Sequence, residues 1–113
     1  MVNIRKLTEE YVSAFNARDL DKVAKYLAED FKLTDPDVTK LTPKGAVIKY
    51  INRLFTSNET LSFEALDIFV DGDTSVIHFC LTLDTLVLDG VDIVTWKNQR
   101  MTNMAAYLTP RHQ

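Results

Sequence analysis

The chain has 113 residues, 46% hydrophobic and 26% charged, which predicts one globular domain over residues 1–113 and argues against disorder. Its formal net charge of -3 and scattered lysines and arginines argue against a nucleic-acid partner, because phosphate binding needs a concentrated basic surface. The single cysteine excludes an intramolecular disulfide. The sequence also has no run of about 20 apolar residues that would predict a membrane span, and we therefore expect a cytoplasmic protein.

Three helices are predicted in the N-terminal half. Asp19 is a good N-cap for the second helix, and Thr42 followed by Pro43 is typical of the start of the third. Apolar residues recur at three- and four-residue spacing in each helix. The apolar stripes are Ile4, Leu7, Tyr11, Ala14 and Phe15; Leu20, Val23, Ala24, Leu27 and Phe31; and Val47, Ile48, Ile51, Leu54 and Phe55.

Strands are predicted elsewhere. A short strand covers roughly Phe31 to Asp35, and from Leu61 onwards the apolar period becomes two. The turns Asp71-Gly72-Asp73 and Asp89-Gly90, with a hairpin tip at Lys97 to Arg100, separate the later strands. These strands are Thr74 to Leu88, Val91 to Trp96 and Met101 to Leu108.

This order of elements predicts an α+β domain in which three N-terminal helices pack on a strongly curved antiparallel sheet. Long strands twist, so the sheet should curl around the helices and leave a conical hollow. Hollows of this kind bind small ligands, and we therefore expect an apolar small molecule as the partner.

Three polar residues within apolar patterns are candidate catalytic residues. Asp35 precedes Pro36, which favours an extended backbone and would hold the carboxylate at the end of a strand as a general base. Tyr11 lies on the first apolar stripe, and Asp92 shares a strand face with Val94. The alternatives are an Asp-Pro turn, a core tyrosine and a solvated Asp92.

The wall of the hollow is predicted to include Val94, Trp96, His78 and Phe55. His78 could act as a second base or could be a hydrogen-bonded sheet residue. His78 and His112 are the only histidines, and no spaced carboxylate cluster accompanies them, so no metal site is expected.

The outer face of the sheet is predicted to carry an apolar patch. Its residues are Ile77, Phe79, Leu81 and Leu83, which alternate along one strand. Such a patch would mark a partner surface, and we therefore expect a homodimer formed through the sheet. Cys80 is expected to be a small core residue because it lies in the same apolar run.

The stretch from Tyr11 to Pro36 resembles the ketosteroid isomerases without a gap, and nearly the whole chain resembles the SnoaL-like branch of the NTF2-like superfamily. The resemblance implies the cystatin-like cone of that superfamily. It also implies Asp35 as the base that removes a proton next to a ketone, with Tyr11 and a protonated Asp92 as donors to the resulting oxyanion. The isomerases have another tyrosine in the third helix, whereas Asn52 lies near that position here and Tyr50 is predicted on a different face.

The first functional hypothesis is an isomerase- or cyclase-like protein that transfers a proton next to a carbonyl on an apolar substrate and needs no cofactor. The second is a non-catalytic NTF2-like module that binds a small ligand or a protein, because a fold alone does not determine function. A third is hydrolysis or dehydration by His78 with an aspartate. Whether the protein is an enzyme therefore stays open at this level.

Overall fold

The computed structural model describes residues 2–36 and 40–111, which form three helices and five strands. The helices are α1 (Ile4–Asn16), α2 (Leu20–Lys25) and α3 (Lys44–Ser57). The strands are β1 (Leu27–Thr34), β2 (Leu61–Asp71), β3 (Thr74–Leu83), β4 (Leu86–Lys97) and β5 (Arg100–Pro110). His112 lies outside the described residues.

The strands form one open sheet with the order β1-β5-β4-β3-β2, and the helices pack on one face of it. Strands β2 to β5 are antiparallel neighbours, as predicted, but β1 runs parallel to β5, so the sheet is mixed. The predicted α+β class with three helices on a sheet is confirmed. No helix in the described part of the chain is long and apolar enough to cross a bilayer.

Local capping explains where the first two helices begin. The Asn3 side chain accepts a hydrogen bond from the backbone N–H of Lys6 at 3.0 Å, and the Asp19 side chain accepts one from Lys22 at 3.1 Å. Both bonds satisfy backbone donors that a helix leaves without an internal partner. The prediction of Asp19 as an N-cap is therefore confirmed.

The second helix is shorter than predicted, because Leu27 and Phe31 belong to β1 rather than to α2. Both side chains are 1% exposed, and their four-residue spacing resembles a helical stripe. The register of β1 with β5 is irregular between Leu27 and Lys32, and such an irregularity changes which residues face inward. Because of this irregularity, Leu27 and Phe31 both face inward although they lie in a strand, and their spacing is the same as that of two residues on one helix face.

Helix α3 begins one residue later than predicted. Pro43 takes the N-cap position after a cis peptide bond, and Thr42 does not cap the helix. The Thr42 hydroxyl instead donates a hydrogen bond to the Asp30 carbonyl oxygen at 3.4 Å.

The hairpin between β3 and β4 turns at Asp84, whose φ is 55°, and not at Asp89-Gly90. Gly90 lies inside β4 opposite Leu108 of β5. A Cβ at this position would meet the Tyr107 carbonyl oxygen and lie 2.7 Å from the Leu108 Cβ. Close approach of β5 therefore explains why this position is a glycine. The hairpin tip predicted at Lys97 to Arg100 is confirmed.

The two faces of β3 are reversed relative to the prediction. Ile77, Phe79 and Leu81 point into the core with exposures of 0%, 2% and 9%. His78 and Cys80 lie on the outer face, where neither is fully buried, so Cys80 is not a core residue. The period of two was correct, but the more hydrophobic set faces inward because burying it removes more apolar surface from water.

Candidate active site

A cavity of about 350 Å³ lies between the helices and the inner face of the sheet. Its described lining has four titratable side chains, Tyr11, Asp35, Tyr50 and Asp92, and is otherwise apolar. The apolar residues are Phe15, Leu27, Phe31, Leu33, Pro36, Val47, Ile51, Leu54, Phe63, Phe79, Leu81, Leu83, Leu86, Leu88, Met104, Ala106, Leu108 and Pro110. Few polar groups in an apolar concave site are typical of small-molecule binding.

Asp92 reaches the cavity from β4, where it shares the inward face with Leu88 and Val94. The residue is only 5% exposed. Burial, reinforced by the nearby charge of Asp35, raises the pKa of the Asp92 carboxyl to about 7. Near neutral pH, a large fraction of Asp92 is therefore protonated and able to donate a hydrogen bond.

Tyr11 lies on the inward face of α1 and is 4% exposed. Burial, followed by the charge of Asp92, raises the pKa of the Tyr11 phenol well above its usual value. The phenol therefore keeps its proton throughout the physiological pH range. Tyr11 and Asp92 thus provide two neutral O–H groups on the lining of the same cavity.

Asp35 follows the last residue of β1 and is half-buried, while the adjacent Pro36 is exposed. Both residues line the cavity, so this part of the lining reaches solvent. Tyr50 of α3 donates a hydrogen bond from its hydroxyl to Asp35 Oδ2 at 3.0 Å. The structure therefore brings the three predicted catalytic residues to one cavity, although their catalytic roles stay predictions.

Tyr50 is the polar residue of the described lining that the sequence analysis missed. It was expected on a different face of α3, but it lies three residues after Val47 and four before Leu54, both of which line the cavity. This spacing was a usable signal, because residues three and four apart share one helix face. Asn52 is exposed and belongs to the opposite side of α3.

Four predicted pocket residues are not part of the described lining, and these assignments are corrected. Val94 and Trp96 face inward but lie further along β4 in the closed core, where both are at most 2% exposed. The Trp96 Nε1–H donates to Ser75 Oγ at 3.0 Å, so its polar atom is satisfied inside the core. Phe55 is buried against Phe15, with ring centroids 5.1 Å apart, and so lies outside the lining.

His78 is the fourth corrected residue. Its imidazole Nδ1 lies 3.2 Å from Asp67 Oδ2 on the outer face of the sheet, and its side chain is 46% exposed. A strand side chain points to one face only, so His78 cannot act as a base in the cavity on the inner face. This removes the third hypothesis. No group of three or more His, Cys, Asp or Glu residues in the described ranges is arranged to hold a metal ion.

Comparison with known proteins relates this sequence and fold to one family. The family model of the SnoaL-like domain matches residues 8–104. Among curated proteins, none matches this sequence.

Solved structures share the architecture at low sequence identity. An NTF2-like protein of unknown function from Cytophaga hutchinsonii superposes with a TM-score of 0.85 at 13% identity, over 96% of this chain and 92% of that one. A proposed ketosteroid isomerase from Kribbella flavida gives a TM-score of 0.83 at 18% identity, over 97% and 80% of the two chains. A proposed SnoaL-like polyketide cyclase from Shewanella denitrificans gives 0.83 at 18% identity, over 94% and 90%. At these identities, the similarity shows the fold alone.

Proposed function

The chain belongs to the SnoaL-like domain family, and from this premise we propose that it catalyses proton transfer next to a carbonyl group of an apolar small molecule. The observation that carries the proposal is the contrast between two carboxyl groups in one apolar cavity. Asp92 is buried and has a pKa raised to about 7, whereas Asp35 is half-buried and accepts a hydrogen bond from a phenol. Pairs of carboxyl groups in such different environments are typical of an acid and a base.

In this mechanism, the carboxylate of Asp35 removes a proton from the carbon next to the carbonyl. The negative charge moves onto the carbonyl oxygen, where the hydroxyl of Tyr11 and the protonated carboxyl of Asp92 stabilise it by hydrogen bonds. The protonated Asp35 then returns its proton to another carbon of the conjugated system, which completes an isomerisation. The apolar lining excludes water and strengthens these interactions.

The composition of the lining favours an uncharged substrate. The described lining contains two carboxyl groups and no lysine, arginine or histidine. An anionic substrate would therefore be buried beside acids without a compensating cation, which is costly. Neutral ketones or esters with an apolar body fit this site better than carboxylates or phosphates.

The proposal is tested with β,γ-unsaturated cyclic ketones of increasing ring number, followed by the absorbance of the conjugated enone. We expect turnover by the wild type and a loss of about 10² to 10⁴ in rate for Asp35→Asn, the usual contribution of a general base. Asp67→Asn is the matched control, because Asp67 is an exposed aspartate on the outer face. Ketone binding without turnover, unchanged by Asp35→Asn, would contradict the enzyme and favour the non-catalytic binding module.

We also propose that the protein forms a homodimer through the outer face of its sheet. Phe69, Val76, Ile93 and Ala105 lie opposite one another across β2 to β5 and form an outer apolar row. Phe69 is 59% exposed and Ile93 is 39% exposed, and Tyr107 on the same face is 61% exposed. An apolar row in the middle of a sheet is typical of a contact surface.

The charges around this row support a second copy as the partner. Asp89 is paired with Arg111 at 2.6 Å, and Asp67 lies 3.2 Å from His78, so these two acids on the outer face have basic neighbours. These two acids would enter a two-fold contact with a basic neighbour already beside them, which lowers the cost of bringing them into it.

We place the protein in the cytoplasm on the basis of its composition. Its single cysteine is only half-buried and is not in a disulfide, as is common in reducing compartments. Recovery of the protein from the extracytoplasmic fraction of its cells would contradict this placement.

A further inference from the structure

The end of β1 is held from two sides. Leu33 exchanges two backbone hydrogen bonds with Leu41, at 2.9 and 2.8 Å, and this fixes the backbone two residues before Asp35. The Asp35 side chain then accepts the hydrogen bond from Tyr50 at 3.0 Å. The phenol of Tyr50 is itself half-buried and comes from α3, so both the backbone and the carboxylate are tied to neighbouring elements.

We propose that Tyr50 is a positioning residue that holds the carboxylate of Asp35 in one orientation for proton abstraction. The inference rests on the proposed function, since it assigns Asp35 as the base. A base must be held within hydrogen-bond reach of the proton that it removes. The hydrogen bond to Oδ2 holds the Asp35 side chain in the one χ1 rotamer that brings its carboxylate to the Tyr50 hydroxyl, while the carboxylate keeps further acceptor sites for a proton.

A neutral phenol suits the position of Tyr50 better than a cation would, because of its effect on Asp35. The described titratable groups that line the cavity with Asp35 are Tyr11 from α1, Tyr50 from α3 and Asp92 from β4. A cation in place of Tyr50 would form a strong ion pair with Asp35 and make it a weaker base. A neutral O–H donor orients the carboxylate at a smaller cost to its basicity.

The test compares Tyr50→Phe with Tyr26→Phe. The Tyr26 hydroxyl also donates to a carboxylate, that of Glu10 at 3.2 Å, but Tyr26 is not part of the described cavity lining. The first readout is the set of Asp35 Hα–Hβ scalar couplings by NMR, which needs no substrate. We expect a single side-chain rotamer in the wild type and Tyr26→Phe, and rotamer averaging in Tyr50→Phe.

The second readout uses the β,γ-unsaturated ketone that the wild type turns over. We expect kcat of Tyr50→Phe to fall about 10-fold, because misplacing a reacting group slows catalysis. KM should stay within about twofold, because the ketone itself is still bound.

The outcomes separate this inference from the proposed function. An unchanged Asp35 rotamer together with unchanged kcat in Tyr50→Phe overturns the role of Tyr50, while turnover by the wild type still supports the enzyme. If the wild type turns over no ketone, the proposed function is contradicted. Rotamer averaging confined to Tyr50→Phe would then still support Tyr50 as the residue that holds Asp35.

Discussion

At the scale of single residues, Asp92 shows how burial changes the chemistry of a carboxyl group. An aspartate on a strand can be a solvated surface residue or a protonated hydrogen-bond donor, and the sequence analysis left both possibilities open. In the structure Asp92 is buried, with 5% exposure, and this burial raises the pKa of its carboxyl to about 7. The same side chain thereby becomes capable of stabilising an oxyanion near neutral pH.

The raised pKa of Asp92 predicts a pH-dependent stability. Its pKa is 3.8 in the unfolded chain and about 7 in the folded one, so between these values the folded state binds more protons. Stability therefore falls as the pH rises from about 4 to about 7. A difference of about three pKa units corresponds to about 4 kcal/mol in free energy of unfolding.

We expect Asp92→Asn to remove this slope, because asparagine is uncharged at every pH. The free energy of unfolding is measured by urea denaturation at about pH 4 and about pH 8. The difference between Asp92→Asn and the wild type should shift in favour of the variant by several kcal/mol from the lower to the higher pH. Asp30→Asn, at an exposed position of β1, serves as the control for general effects of pH. A constant difference between wild type and Asp92→Asn would show that Asp92 is ionised in the folded state.

At the scale of elements, the alternation along β3 predicted which residues share a face of the strand, but not which of the two faces points into the core. The period of two along β3 correctly separated Ile77, Phe79 and Leu81 from His78 and Cys80. It did not say which set faces the helices, because a strand can present either face to a core. Tyr50 is a different case, because its spacing from Val47 and Leu54 already placed it on the apolar face of α3.

Gly90 provides a prediction at the scale of elements. Gly90→Ala would place a methyl group against the backbone of β5, 2.7 Å from the Leu108 Cβ. We expect a loss of about 1 to 3 kcal/mol in free energy of unfolding, the usual cost of overpacking, measured by urea denaturation. Gly45→Ala is the matched control, because nothing lies within 4 Å of the added methyl and alanine favours a helix. Equal effects of the two substitutions would rule out close approach of β5 as the reason for Gly90.

At the scale of the whole molecule, the sheet separates two kinds of surface. Its inner face forms the cavity with the helices, and its outer face carries the outer apolar row of Phe69, Val76, Ile93 and Ala105. A ligand and a second copy of the chain could therefore bind on opposite sides of the same strands. Catalysis and association would then be separable by mutation.

This separation predicts the effect of a charge on the outer face. Sedimentation at micromolar concentration should give a dimer for the wild type and a monomer for Ile93→Lys, because a buried unpaired ammonium group is costly. Val2→Lys is the control, since Val2 is 46% exposed and precedes α1, outside the outer apolar row. A monomeric wild type would end the dimer proposal without affecting the proposed reaction.

The sequence by itself determined the order of the elements, the family and the three polar residues that reach the cavity. Periodicity, caps and turns act over a few residues, and the motif from Tyr11 to Pro36 is continuous in the chain. Only the tertiary structure decided the parallel pairing of β1, the inward face of β3 and the contact between Asp35 and Tyr50. Each of these depends on which distant segments meet in space, and burial in that setting sets the pKa of Asp92.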